Sequence, residues 1–441
     1  MDDRASEPGA PASGPARRHD PYAALRIREF RWFLAGSLPY TIGINMQTVA
    51  VSWEIYDRTQ SNLALALVGL VQIIPVVTLF LPAGHLIDRV DRKRILLCVL
   101  PAAALWSAGL AYCSATTAHV GWMYLLLLFI GVVRTFMQPA RSAFLPSILT
   151  REAFTNGITW HSTGFQLSTV LGPALGGALI AWLHSTTAVY LLTALLALVN
   201  WICLAMIQSP PFVPSSEEPS LKSLAAGLGF VWRTKVMLGA ITLDMFAVLL
   251  GGATALLPVY AKEILHVGPT SFGWMRAAPG IGAVCMSFLL AHRPPFERAG
   301  RALLWAVAGF GVITIVFGIS RSFSLSLAML FALGALDMVS VVVRQTLVQL
   351  LTPDEMRGRV SAINSMFIGI SNELGEFESG SLAYAFDRPD DKAFGPTVSV
   401  VSGGVGTMLV VAMVALAWPQ LRRYGRLDGT DQPRSSSLSA D

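Results

Sequence analysis

Charged residues are scarce in this chain of 441 residues, since Asp, Glu, Lys and Arg make up only 13% of it, against about 25% in an ordinary soluble domain. Hydrophobic residues make up 54%, and the mean hydropathy is +0.57. A soluble globule of this size has too little interior to bury so much apolar surface. The composition therefore excludes an ordinary soluble protein and predicts a chain that crosses a lipid bilayer many times.

Cysteine is also rare, with four residues at Cys98, Cys113, Cys203 and Cys285. All four lie inside apolar segments, so we interpret them as small buried hydrophobic residues and not as a disulfide framework or a metal site. The motifs H-E-x-x-H, G-x-S-x-G and Walker A are absent from the sequence, so these classes of enzyme are disfavoured. We expect a protein without catalytic activity, metal or other cofactor.

The net charge of +5 is small, and the basic residues lie in short segments between apolar runs, which argues against nucleic-acid binding. Residues 1–20 are rich in Ala, Pro, Ser and charge. They contain no apolar run, so we expect a disordered tail without a cleavable signal peptide. Residues 421–441 have a similar composition and are expected to form a second tail.

Apolar runs of about 17–25 residues predict membrane-spanning helices. We identify twelve spans, at residues 32–55, 63–83, 95–115, 120–145, 156–183, 187–207, 236–261, 270–291, 302–320, 323–349, 359–386 and 397–418. The predicted fold is an all-α membrane protein with six spans in residues 21–207 and six in residues 236–420. Residues 208–235 form a linker; its part 221–231 has helical apolar spacing and is either a surface helix or plain linker.

Lysine and arginine are distributed unequally between the two sides that these spans define. The segments on the side of the N-terminus hold 23 of the 32 Lys and Arg residues, and the opposite loops hold five. Because cytoplasmic loops carry an excess of Lys and Arg, the sequence predicts that both termini and the linker lie in the cytoplasm.

The two groups of spans match each other at a constant offset of 203 or 204 residues. The matching pairs are Tyr56 and Tyr260, Gly69 and Gly273, Pro75 and Pro279, Gly131 and Gly334, Arg141 and Arg344, Gly172 and Gly375, and Gly177 and Gly380. Single matches between apolar helices arise by chance, but a shared register of Gly, Pro and Arg indicates a duplication. We expect two pseudo-symmetric six-helix halves with a site between them near the midplane.

Ionisable side chains inside predicted spans are costly unless they face a cavity or a partner. Six stand out: Arg134, Asp244, Arg276, Asp337, Glu373 and Glu376. Arg134 and Asp337 are equivalent at the offset of 203, so we expect them to face each other. Asp244 and Asp337 either bind protons or substrate or form structural ion pairs. Glu373 and Glu376 lie one turn apart, and either carry protons or lie solvated at the outer rim.

As proton carrier, Asp244 is ranked first because it lies close to the midplane, followed by Glu373, nearer the outer face. Asp337 is ranked third, since it lies similarly deep but has Arg134 as a possible structural partner. Residues expected to line the cavity or contact substrate are Arg134, Arg276, Arg344, Gln72 and Asn372. His161 is a further polar residue within a span and is interpreted as either a proton carrier or a solvated or hydrogen-bonded bystander.

A basic cluster at residues 84–94 joins the second and third spans and has the pattern G-x-L-x-D-R-x-x-R-[KR]. Its key residues are Gly84, Asp88, Arg89, Arg92 and Lys93. Asp88 is interpreted either as the latch of a cytoplasmic gate, through a helix cap or an arginine pair, or as a solvated loop charge.

The fifth span contains the motif Gly172-Pro173-Ala174-Leu175-Gly176-Gly177. Gly172 and Gly176 form a GxxxG step that permits close helix packing, and Pro173 can kink the helix. We expect this motif to pack tightly across the two halves.

The basic cluster, the G-P-x-x-G-G core and residues 344–346, 352–360 and 371–380 together resemble a branch of the major facilitator superfamily (MFS). That branch contains the bacterial enterobactin exporter and related efflux permeases. The resemblance covers residues 21–420 and implies a bacterial inner-membrane exporter with alternating access. It further implies proton antiport of a small amphipathic siderophore, drug or secondary metabolite.

We expect the protein to be monomeric, with the lipid bilayer, protons and a small-molecule substrate as its partners. Two alternatives stay open on the sequence alone. An importer of the same fold is disfavoured by the glycine–proline core of the fifth span. A membrane receptor or scaffold has little use for several charges within its spans.

Overall fold

A computed structural model describes residues 20–209, 221–294 and 296–425, without the side chains of residues 81, 88, 221–225, 354 and 362. The described residues are almost entirely helical. The N-terminal helices are α1 (Arg28–Thr59), α2 (Asn62–Arg89), α3 (Arg92–Ala115), α4 (Val120–Phe144), α5 (Phe154–Leu183) and α6 (Thr187–Ala205). A separate helix, α7 (Leu221–Arg233), precedes the second group. The C-terminal helices are α8 (Lys235–Leu250), α9 (Pro269–Ala291), α10 (Ala299–Ile319), α11 (Phe323–Leu351), α12 (Arg357–Ala385) and α13 (Phe394–Ala417).

Ten stretches of the described chain are long and apolar enough to cross a membrane, which confirms the prediction of a multi-pass helical membrane protein. Helices α1 and α12 are not among the ten, although they have 32 and 29 residues. Their composition explains this, because α1 has polar residues such as Asn45 and Gln47 in its middle and α12 contains Glu373, Glu376 and Glu378. The count of twelve spans stays a prediction.

The basic cluster at residues 84–94 is more helical than the sequence predicted. Helix α2 continues to Arg89 and α3 begins at Arg92, so the connection consists of Val90 and Asp91 alone. Asp91 caps α3, since its Oδ1 accepts a hydrogen bond from the Lys93 N–H at 3.0 Å. The prediction of a loop over the whole segment is wrong because polar residues also continue a helix beyond the membrane, and only a cap ends it.

The predicted seventh span is interrupted. Helix α8 ends at Leu250, and the chain passes through Gly251 and Gly252 into a 3-10 turn, Ala253–Leu256. A helical turn and a π-helix, Tyr260–Ile264, follow. Gly252 lies directly against the carbonyl oxygen of Gly375 on α12, so a side chain there would prevent this approach. The span predicted at residues 236–261 is found at Lys235–Ile264, but it is not one continuous helix, because apolar length alone does not reveal a break.

The contacts of the helices repeat at the offset found in the sequence. Gly131 on α4 packs on Pro75 of α2, where an added Cβ would lie 3.1 Å from the proline Cγ. Gly334 on α11 packs in the same way on Pro279 of α9, where an added Cβ would lie 2.5 Å from the proline Cα. Both pairs were matched in the sequence, so the duplication extends to the packing.

The hydrophobic core of the described residues has one part shared by both groups of helices and three separate parts. We call the side that carries residues 20–28 and 418–425 the terminal side, and the opposite side the distal side. A cluster at the distal side joins both groups of helices and includes Tyr56, Leu65, Tyr260 and Phe272. Toward the terminal side, the N-terminal and C-terminal helices have separate cores. The two groups are thus joined at the distal side and diverge toward the terminal side.

Helix α7 lies against the C-terminal helices. Its Val231 is buried with Met237, Ile241 and Val360, and Gly227 lies against Ile363 and Arg359 of α12. The helical interpretation of residues 221–231 is therefore the correct one, while residues 210–220 of the linker lie outside the described chain.

All four cysteines are free, but Cys98 and Cys285 are exposed, so the prediction that they are buried holds only for Cys113 and Cys203.

Candidate functional site

An ion pair links the two groups of helices near the middle of the molecule. Arg134 Nη1 of α4 donates to Glu373 Oε1 of α12 at 2.7 Å. The side chain of Arg134 is 51% exposed and that of Glu373 is 9% exposed. The pair therefore combines a buried carboxylate with a guanidinium that remains accessible. The rim position considered for Glu373 is wrong, because this side chain is buried between the two groups.

The surroundings of this pair include three other sequence candidates. Gly69 of α2 packs on α12 at this level, where an added Cβ would lie 2.7 Å from the Glu373 carbonyl oxygen and 3.0 Å from the Glu376 Cβ. Glu376 is half-buried, and Asn372 is exposed. Gln72 is half-buried, and its amide points along its own helix toward the Val68 carbonyl at 3.5 Å.

A second ion pair lies within the C-terminal helices. Arg344 Nη1 of α11 is 3.0 Å from Asp244 Oδ2 of α8 and 3.2 Å from Asn364 Oδ1 of α12. Both charged side chains are nearly inaccessible, at 4% and 7%. Asp337 lies within electrostatic range of Asp244 and Arg344. The expected pairing of Arg134 with Asp337 is wrong, because Arg134 pairs with Glu373.

Arg276 supports the interrupted helix. Its Nη1 donates to the Thr254 carbonyl at 3.0 Å, within the 3-10 turn that follows Gly252. Unwound backbone at membrane depth is tolerated when its polar groups find partners. Arg276 is therefore a positioning residue for this turn and is half-buried.

The glycines of the α5 motif serve two different interfaces. Gly172 lies against Asn45 and Ile42 of α1, and Gly176 lies against Met46, so this GxxxG step packs inside the N-terminal group. Gly177 alone faces across to α9. The expectation that the whole motif packs across the halves is wrong, because residues four apart share one helix face and Gly177 lies on the next. Pro173 is buried, and its carbonyl lies against Gly273.

Polar contacts close the distal side between the two groups. Lys262 pairs with Asp57 and lies 4.4 Å from the centroid of the Trp53 ring. Asn62 Nδ2 donates to Asp387 Oδ1 at 2.8 Å. Burial raises the pKa of the Asp387 carboxyl, while the bond from Asn62 favours the ionised form. Sequence reasoning missed these contacts, because the residues lie at helix ends and in a short connection that carry no motif.

The residues of the basic cluster have different surroundings in the structure. Lys93 Nζ donates to the Ile207 carbonyl at 2.6 Å and thereby ties the start of α3 to the end of α6. An added Cβ on Gly84 would meet nothing within 4 Å. Arg89 and Arg92 lie at the ends of α2 and α3. The side chain of Asp88 lies outside the described residues, so the latch stays a prediction.

His161 lies beside aromatic residues at the terminal side of α5. Its ring is 5.8 Å from that of Phe33, and its Nε2 is buried without a hydrogen-bond partner. Nε2 of His161 therefore does not make the hydrogen bond that a hydrogen-bonded bystander would make. Among the described residues, no group of three or more His, Cys, Asp or Glu could hold a metal ion.

Sequence comparison connects this chain with known transporters. The family described as transmembrane secretion effector matches residues 19–417. The enterobactin exporter EntS of Escherichia coli O1:K1 is 24% identical over 394 residues, covering 87% of this chain and 90% of EntS. The EntS protein of Shigella boydii serotype 18 has the same identity and coverage.

Solved structures share the fold at low sequence identity. A bacterial homolog of the human lysosomal transporter Spinster, inward-facing and unoccupied, has a TM-score of 0.70 and 16% identity, covering 90% of this chain and 98% of its own. The nucleoside transporter NupG has a TM-score of 0.66 and 11% identity, covering 90% of this chain and 99% of its own.

Proposed function

Because this chain belongs to the transmembrane secretion effector family of MFS transporters, we propose that it is a secondary active exporter of a small amphipathic molecule. The cargo class that we propose includes siderophores such as enterobactin, by analogy with relatives that are 24% identical. Export is driven by protons that enter the cell as cargo leaves. The protein resides in a bacterial inner membrane as a monomer, with both termini in the cytoplasm.

In this proposal the chain crosses the membrane twelve times, as two six-helix halves. The terminal side is then cytoplasmic, and the described structure is closed toward the periplasm. The support is the shared distal cluster and the separate cores of the terminal side. Alternating access requires the distal contacts to separate while the terminal sides approach.

The observation that carries the coupling proposal is the ion pair between Arg134 and Glu373. An accessible guanidinium and a buried carboxylate on opposite sides of the interface can exchange partners. When a proton neutralises Glu373, its attraction to Arg134 is lost, and Arg134 is free to contact cargo. Proton and cargo thus act on the same pair in alternation.

This assignment places Glu373 ahead of Asp244 as the proton carrier. Asp244 already has Arg344 as a buried partner at 3.0 Å, and both belong to the C-terminal helices. Such a pair is a fixed link within one half. Glu373 instead joins the two halves, so a change in its charge acts directly on their separation.

The test uses inside-out membrane vesicles that contain the protein. An acidic lumen should drive accumulation of enterobactin in the lumen, because this direction corresponds to export. Glu373→Gln should abolish that accumulation while exchange of preloaded cargo continues, since exchange needs no net proton movement. Glu376→Gln is the matched control, one turn away on the same helix, and should keep accumulation.

Uptake that requires the opposite vesicle orientation would identify an importer instead. Normal accumulation by Glu373→Gln would show that protons are carried elsewhere, with Asp244→Asn as the next variant. Absence of any transport by the wild-type chain, with enterobactin or with amphipathic dyes, would reject the proposed function.

A further inference from the structure

Arg141 of α4 and Arg344 of α11 occupy equivalent positions in the repeat, at an offset of 203 residues. Arg344 has a carboxylate partner, Asp244. At an offset of 203 the equivalent of Asp244 is Thr41 of α1. The contacts support this register, since Thr41 lies against Arg141 as Asp244 lies against Arg344. The duplication therefore retains the arginine in both groups of helices but retains its acid in only one.

The contacts of Arg141 reproduce the geometry of the other pair without its charge. Nη1 and Nη2 of Arg141 donate to Thr41 Oγ1 at 3.2 and 3.1 Å. The Thr41 hydroxyl donates its own hydrogen to the Ser37 carbonyl at 2.7 Å. The guanidinium also lies 5.9 Å from the Phe33 ring centroid, and its Nε is buried without a partner.

Three acids of the N-terminal helices are engaged elsewhere. Glu54 pairs with Arg58, Asp57 pairs with Lys262, and Asp91 caps α3. Among the side chains that the structure describes, none supplies a carboxylate to Arg141. A guanidinium held inside a helix bundle carries a large desolvation cost unless an anion accompanies it.

A small cavity lies beside the guanidinium. It is lined by apolar residues and by Arg141, Ser37 and Asn200, and its volume is about 20 Å³. This is room for one particle of the size of a water molecule or a halide ion. Ser37 is 2% exposed, and its hydroxyl oxygen has no hydrogen-bond partner. The cavity thus offers hydrogen-bond donors from an arginine, a serine and an asparagine amide.

We propose that this cavity binds a single monovalent inorganic anion of the size of chloride. From the cavity side, the anion supplies to Arg141 the negative charge that the Asp244 carboxylate supplies to Arg344. It neutralises the buried guanidinium and accepts hydrogen bonds from Ser37 and Arg141. Neutralisation stabilises the packing of α1, α3, α4 and α6, which together form the cavity wall. This site is distinct from the Arg134–Glu373 pair, and the proposal holds for export and import alike.

The experiment measures the thermal unfolding midpoint of the purified full chain in detergent. Sodium chloride is exchanged for sodium gluconate at constant ionic strength, since gluconate is too large for the cavity. The midpoint should rise with chloride concentration and reach a plateau. Thr41→Asp gives Arg141 a carboxylate like the one that Asp244 gives Arg344. It should raise the unfolding midpoint in gluconate and remove the response of the midpoint to chloride.

Thr41→Val is the matched control, because it removes the hydroxyl without adding a charge, and it should keep the chloride response. Bromide in place of chloride gives a direct readout, as an anomalous scattering peak beside Arg141 in crystals. Equal midpoints of the wild type in both salts, or no bromide peak there, would overturn the proposal.

Discussion

Gly177 of α5 and Gly273 of α9 touch across the interface between the two groups of helices, where a Cβ added to Gly177 would lie 2.7 Å from the Gly273 Cα. The neighbouring glycine, Gly176, faces Met46 of α1, where an added Cβ would lie 3.0 Å from the Met46 Cα. Two successive residues therefore serve different purposes. Gly177 permits the close approach of α5 and α9 at the distal interface, and Gly176 permits the close approach of α5 and α1 within the N-terminal helices.

Gly177→Ala should open the distal interface. The added methyl group meets backbone atoms of α9, which cannot move aside as a flexible side chain would. A strain of about 1.4 kcal/mol in the closed state changes its population relative to the open state about tenfold. The measurement is maleimide labelling from the distal side of Leu65→Cys in a variant without native cysteines. Leu65 is only 4% exposed in this structure, so labelling reports opening.

Gly176→Ala is the control for that experiment. Its methyl group meets Met46 within the N-terminal helices, so it should lower the thermal unfolding midpoint without increasing distal labelling. Equal labelling of the two variants would contradict the assignment of separate interfaces.

The Asp57–Lys262 pair should contribute modestly to distal closure. Asp57 is 61% exposed at its side chain, and pairs so accessible to solvent contribute roughly 0.2–1 kcal/mol. Asp57→Lys should increase distal labelling of Leu65→Cys by less than about tenfold. The charge exchange Asp57→Lys with Lys262→Asp should restore slow labelling. If Leu65→Cys is labelled as fast in the charge-exchange variant as in Asp57→Lys alone, attraction between residues 57 and 262 does not keep the distal interface closed.

Asp244→Asn should destabilise the fold, because it leaves Arg344 buried without a carboxylate. Removal of one partner from a buried pair costs about 3–5 kcal/mol. The thermal unfolding midpoint should fall, and Asp244→Asn combined with Arg344→Gln should recover much of the loss. An unchanged midpoint together with loss of proton-driven accumulation would instead make Asp244 the proton carrier, as its depth in the span predicted.

Both termini should be cytoplasmic. Reporter fusions after Asp431 should be active only as cytoplasmic reporters, and insertions near Arg58 and Arg388 only as external ones. The reason is that the segments predicted to lie on the side of the N-terminus contain 23 of the 32 Lys and Arg residues. An external C-terminus would contradict the prediction that both termini are cytoplasmic.

Much of the architecture could be predicted from local sequence. Apolar runs placed the helices, and the repeat of Gly131 and Pro75 in Gly334 and Pro279 is also a repeat of contacts. Composition and short-range spacing determine where a helix can lie in a bilayer, since each span satisfies its own backbone. The break at Gly251 escaped prediction, because it depends on the approach of α12 and not on local hydropathy.

The sequence by itself determined the membrane character, the family and the equivalence of Arg134 with Asp337. Only the tertiary structure decided that Arg134 pairs with Glu373. Residues related by a pseudo-twofold axis lie on opposite sides of that axis, so equivalence in a repeat does not make them neighbours. The partner of a charge, and the face that a glycine presents, depend on how each helix is rotated and packed, which no single helix encodes.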